Sequence, residues 1–141
     1  QDTAGPQQAA EEKGVFSVGY NTDMSKVAPK ANLTSAVWNW GPFFVSQIKA
    51  IKDGTWTNKP YWGSMSDNVV ALAPLTANAP EGAQALVDAE KTKILDGSWD
   101  VFNGPIKDQT GAVKVAEGSK MTDAEMLSFD WFVEGVIGKT K

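Results

Sequence analysis

The sequence predicts an α/β layer fold with a largely parallel sheet flanked by helices. Apolar, β-branched runs at 15–20, 31–38 and 67–74 alternate with helix-patterned stretches at 42–52 and 80–97, the order expected of β-α-β units. The chain of 141 residues is 42% hydrophobic and 21% charged, a composition that can bury a core.

Each element follows from local chemistry. AGPQQAAEEKG opens with Pro6 at a first helical position and has Gly14 just beyond its end, so it reads as a short helix. VFSVGY, which follows, reads as a buried strand. A helix running straight into such a strand is half of a β-α-β unit. The expected preceding strand would end at Gln1-Asp2-Thr3, which makes the chain the C-terminal portion of something longer. NTDMSKVAPK is a turn-rich loop, and ANLTSAVW is a strand by its apolar and β-branched content.

Gly41-Pro42 starts a helix with Phe44, Val45, Ile48 and Ile51 on one face, and Gly54 ends it. DNVVALAP is a short strand, and PEGAQALVDAEKTKILDG a second amphipathic helix. Residues 99–117 form a hairpin that turns at Asp108-Gln109-Thr110-Gly111. The last helix has a capping box in Thr122 and Glu125, with Met121 and Met126 placed as a hydrophobic staple. Its apolar face is expected to continue through Phe129, Phe132, Val133 and Val136, with Trp131 inside the helix as a structural residue.

Composition narrows the function. The net charge is -4 and the pI about 4.8, with no basic stripe, which argues against a nucleic-acid partner. The chain has no cysteine and no histidine, so thiolate chemistry and the commonest general base and metal ligand are absent. No catalytic residue, metal ligand or cofactor is assigned. No apolar run approaches the ~20 residues of a membrane-spanning helix.

In open α/β sheets ligands meet the carboxyl ends of the strands. Three segments sit at such ends: Gln1-Asp2-Thr3, Asn21-Thr22-Asp23 and Trp38-Asn39-Trp40. Trp38 and Trp40 share one face. They either fill a core or form a stacking platform, which contributes roughly 1–3 kcal/mol per stacked base. Asn21 can both donate and accept, which suits the mixed edge of a purine, or it ends the strand as a turn residue. Asp23 is a ligand group or a loop cap. Trp56, Tyr61 and Trp62 read as core or lobe-edge packing.

The stretches GVFSVGYNTDMSKVAPKANLTSAVWNWG, YWGSMSDNVVALAP, FNGPIKDQTG and WFVEGVIG resemble, in order and spacing, the C-terminal half of the basic membrane protein family. These are substrate-binding proteins of ABC importers with the two-lobed periplasmic binding protein type I fold. The resemblance implies a ligand, in the best-known members a purine nucleoside, held between lobes joined by hinge strands. Where nucleoside-binding members place a first acid at the strand end this chain has Asn21, followed by Asp23. Where they place a lysine after the L-T-S strand it has Trp38. Both changes remove charge, and a free nucleobase or another flat heterocycle fits an indole better than a lysine.

The expected function is therefore a noncatalytic solute-binding component of an ABC importer for a purine nucleobase or nucleoside. The ligand-binding set is Gln1, Asp2, Asn21, Asp23, Trp38 and Trp40. Its partners are a small purine-like solute, a membrane permease and the remaining N-terminal portion of the protein. Its location is periplasmic, or anchored on the outer side of the inner membrane. Residues 1–40 are expected in the C-terminal lobe ending in a hinge strand, 41–60 as a helix packing on the N-terminal lobe, and 61–141 as the remaining C-terminal-lobe and hinge segments. The alternatives are a binder of another solute such as a sugar or flavin, an enzyme using Asp2 and Asp23 as an acid/base pair, and a structural module with a tryptophan-filled core.

Overall fold

Alanine, glutamine and glutamate favour helix, and with Pro6 in the first turn they form α1 (Gly5–Glu12). The structure, a computed structural model, describes residues 3–139. The chain leaves α1 into β1 (Ser17–Asn21), loops through 22–31 and returns as β2 (Asn32–Trp38), parallel to β1 with Asn21 opposite Val37. Next come α2 (Gly41–Lys52) and β3 (Val70–Leu72), which pairs antiparallel with β2 so that Trp38 faces Val70. The sheet order is β1-β2-β3. The α/β fold with a parallel strand pair is thus present, and its third strand runs the other way.

Small residues let β1 and β2 approach each other. A Cβ on Gly19 would lie 2.3 Å from Ser35 Oγ and 2.8 Å from Met24 Cγ. Ser35 Oγ in turn accepts from the Met24 amide at 3.1 Å. Met24, Ala28, Ala31, Val69 and Ala73 are buried here, together with the polar Asn32, Thr34 and Ser35. Buried polar groups need partners. Thr34 Oγ1 donates to the Ala73 carbonyl, and Thr76 Oγ1 and Asn78 Nδ2 both donate to the Asn32 carbonyl.

VFSVGY is a strand but not a buried one. Of β1 only Gly19 is buried, while Val15, Phe16, Val18 and Tyr20 are exposed. The physical reason is position, because among the described residues β1 pairs with β2 alone and lies at the sheet edge.

α2 turns an unexpected face inward. Phe43, Gln47 and Ala50 are half-buried against the following loop, where Trp56 Nε1 donates to Gln47 Oε1 at 3.1 Å and the Thr55 amide donates to the Ala50 carbonyl. Phe44, Val45, Ile48 and Ile51, the apolar face read from the sequence, are between 59% and 68% exposed.

The chain divides into two compact units at residues 90 and 91, a boundary inside α3 (Ala83–Leu95). In the second unit β4 (Ile106–Lys107) and β5 (Val113–Val115) form the expected hairpin. Asp108 organises its turn, accepting from the Thr110 hydroxyl and the Thr110 and Ala112 amides. These donors, the Thr110 hydroxyl foremost, hold the Asp108 carboxyl below its usual range. Lys120 Nζ meets Asp100 Oδ2 at 2.5 Å.

α4 (Asp123–Leu127) has both halves of its capping box, Thr122 Oγ1 with the Glu125 amide and Glu125 Oε2 with the Thr122 amide. It ends sooner than its apolar pattern suggests. Trp131, Phe132, Val133 and Val136 lie beyond it, because the backbone there is spent on the hairpin edge. The Gln109 amide donates to the Phe132 carbonyl, the Glu134 amide donates to the Lys107 carbonyl, and Asp108 bridges Val133. Gly135, at a φ of 91°, adopts a backbone that a helix does not accommodate.

Candidate functional site

The carboxyl ends of β1 and β2 bring two of the sequence-selected segments together. Asn21 closes β1 with a φ of 74°, a left-handed geometry that asparagine tolerates better than most residues. Trp38 closes β2, and its indole Nε1 donates to Asn21 Oδ1 at 2.5 Å. A partly buried indole usually finds an acceptor for its one donor, and here that acceptor comes from the neighbouring strand end.

From Trp38 a row of rings extends over the start of α2. Tyr20 meets Trp38 edge-on, with centroids 6.2 Å apart and an 82° angle. Trp38 and Trp40 stack at 6.0 Å and 25°. Trp40 then meets Phe43 at 5.8 Å, and Phe43 meets Tyr61 at 4.5 Å. The row faces solvent, with Trp38 37% and Trp40 44% exposed. Neither indole fills a core in this chain. Asn39 fastens the link between them, because its amide donates to the Val69 carbonyl and its side chain to the Asn68 carbonyl.

The other selected residues divide. Asp23 lies in the loop after β1, where Oδ1 accepts from the Ser25 amide at 2.9 Å. The Ser25 backbone and side-chain hydrogen bonds hold its carboxyl below the usual range, with Lys26 adding a smaller push in the same direction. Asp23 is thus an ionised turn residue two positions past Asn21. Gln1 and Asp2 lie outside the described residues. Among the described residues no three acidic groups gather as a metal would require.

Sequence reasoning missed Tyr20 and Phe43 as members of the row and read Tyr61 as packing. Tyr61, Trp56 and Trp62 are all exposed, and Tyr61 joins the row through Phe43. Alternation along β1 could have flagged Tyr20 beside Asn21. Nothing local marks Tyr61, whose contact depends on how the loop after α2 folds back. That loop and α2 border a hollow of about 240 Å³ lined by Phe43, Gln47, Trp56, Lys59 and Tyr61 among others.

The parallel strand pair thus carries a solvent-facing aromatic shelf at its carboxyl ends. An ABC-transporter solute-binding protein of Conexibacter woesei has the same fold over 72% of this chain and 35% of its own, with a TM-score of 0.51 and 25% identity. A second solved structure, a transcriptional activator of the comK gene from Bacillus halodurans, shares the fold with a TM-score of 0.57 at 18% identity, over 67% of this chain and 34% of its own.

Residues 1–99 match the Bmp model of PnrA-like ABC-transporter substrate-binding proteins, and the chain belongs to that family. It is 35% identical to a purine-binding protein of Brucella abortus over 98% of this chain and 39% of that protein. It is 29% identical to a candidate ABC-transporter glucose-binding protein of Haloferax volcanii, over 99% of this chain and 33% of that protein. The chain therefore spans well under half the length of these relatives.

Proposed function

We propose that this chain is the C-terminal portion of a solute receptor that holds a purine nucleobase or nucleoside between two lobes and passes it to a membrane permease. The observation that carries the reading is the exposed Trp38–Trp40 stack held at a strand end by the uncharged Asn21. A neutral aromatic shelf favours a flat, uncharged heterocycle over a sugar phosphate or a free ion. The Brucella abortus relative, named for purine binding, supports the same ligand class.

In this reading Trp38 and Trp40 stack on the base, Asn21 borders the site, and Asp23, Gln1 and Asp2 supply its polar rim. The apolar face of α2 packs on the N-terminal lobe, residues 1–40 and 61–141 serve the C-terminal lobe and its hinges, and closure of the lobes completes the pocket. The protein acts as a receptor rather than a catalyst. It works on the outer side of the inner membrane, in the periplasm or anchored there.

Titration of the intact protein with adenine, guanosine, ribose and glucose tests the ligand class. Adenine or guanosine is expected to bind and to quench tryptophan fluorescence. Failure of both purines to bind would defeat the reading. A sugar is the second reading, favoured by the Haloferax volcanii relative named for glucose and by the way indole faces also stack on sugar rings. Saturation by glucose with no response to adenine would select it.

A further inference from the structure

The end of β1 holds one side chain of β2 in place. Asn21 lies opposite Val37 in the parallel register, so its carboxamide sits beside the next residue, Trp38, and accepts from the indole Nε1. Tyr20 meets the indole at 82°, and Trp40 lies nearly parallel to it at 25°. A tryptophan ring can rotate about its last torsion, and a reversed ring would carry its N–H away from Asn21. One orientation alone satisfies the donor while keeping the stack with Trp40.

We infer that Asn21 is a positioning residue, acting on the bound ligand through Trp38. Its carboxamide oxygen fixes the plane of the indole and occupies the one donor the ring possesses. Trp38 then offers the ligand a face and no hydrogen bond. Selectivity at this wall becomes a matter of flatness and area, with directional recognition left to other groups. The inference rests on the proposed reading of the Trp38–Trp40 row as the ligand platform.

The test uses the intact protein with Asn21→Gly, which removes the side chain yet suits the left-handed backbone, and Asn21→Asp, which keeps an acceptor oxygen. One readout is the solvent exchange of the Trp38 indole N–H by NMR without ligand. The other is adenine affinity by titration. In Asn21→Gly the indole proton is expected to exchange like that of an open tryptophan, and affinity to fall about tenfold. Asn21→Asp is expected to restore slow exchange and to bring affinity within about threefold of the parent.

Slow exchange persisting in Asn21→Gly overturns the inference, as does fast exchange with unchanged affinity. Lost affinity that Asn21→Asp fails to restore, despite restored slow exchange, also overturns it and makes Asn21 a direct ligand contact. Failure of the platform itself shows separately, as adenine affinity untouched by Trp38→Ala.

Discussion

At Asn21 and Trp38, two uncharged side chains complete each other across neighbouring strand ends. The contact satisfies the indole donor with no charge on either side chain. Trp38→Ala should remove most of the ligand-dependent fluorescence change and weaken purine binding by roughly 1–3 kcal/mol, measured by titration calorimetry. Gly19 makes a second prediction at this scale. Its missing Cβ leaves room for Ser35 Oγ and Met24 Cγ, so Gly19→Ala should push β1 from β2 and cost about 1–3 kcal/mol in urea unfolding. An unshifted midpoint would show that Ser35 and Met24 yield without cost.

Among the elements, α4 is the one whose start the sequence states most directly. Thr122 and Glu125 satisfy each other's backbone amides, and Thr122→Ala should cost about 0.5–2 kcal/mol of stability, with Thr122→Ser recovering most of it. The end of α4 was not legible in the same way. Phe129, Phe132, Val133 and Val136 carry helical spacing, yet the amides and carbonyls around them bond the β4–β5 hairpin. Periodicity records which residues are apolar and not where their backbone hydrogen bonds go.

A pH response is expected in the same unit. Asp100 is held below its ordinary value of 3.8, first by the Lys120 hydrogen bond and then by the Phe102 amide. A depressed folded-state value means that this contribution is present above the ordinary carboxylate range and is lost as pH falls through the folded value. Thermal melts of the parent should therefore drop with acidification below about pH 4, and less steeply in Asp100→Asn. Equal acid slopes would remove the ion pair from the explanation.

For the molecule as a whole, α2 is the element whose apolar face is left open. Its inward face, Phe43, Gln47 and Ala50, is half-buried by its own loop, while Phe44, Val45, Ile48 and Ile51 stay open. The chain spans 39% and 33% of two relatives, and under the proposed reading the other lobe covers this face. In the intact protein Ile48→Glu should then lower stability by about 1.5–3 kcal/mol in urea unfolding. A change within experimental error would mean that the face stays wet in the intact protein.

The sequence by itself determined the alternation of strands and helices, the starts of α1, α2 and α4, the hairpin turn at Asp108, and the family. It also selected Asn21, Trp38 and Trp40, because strand ends and indoles are local signals. Only the tertiary structure decided that Asn21 and Trp38 bond each other, that Tyr20, Phe43 and Tyr61 extend the row, that β1 lies exposed at a sheet edge, and that Trp131 falls outside α4. Those outcomes depend on strand register and on loop return between residues far apart in the chain. Side-chain periodicity carries no information about either.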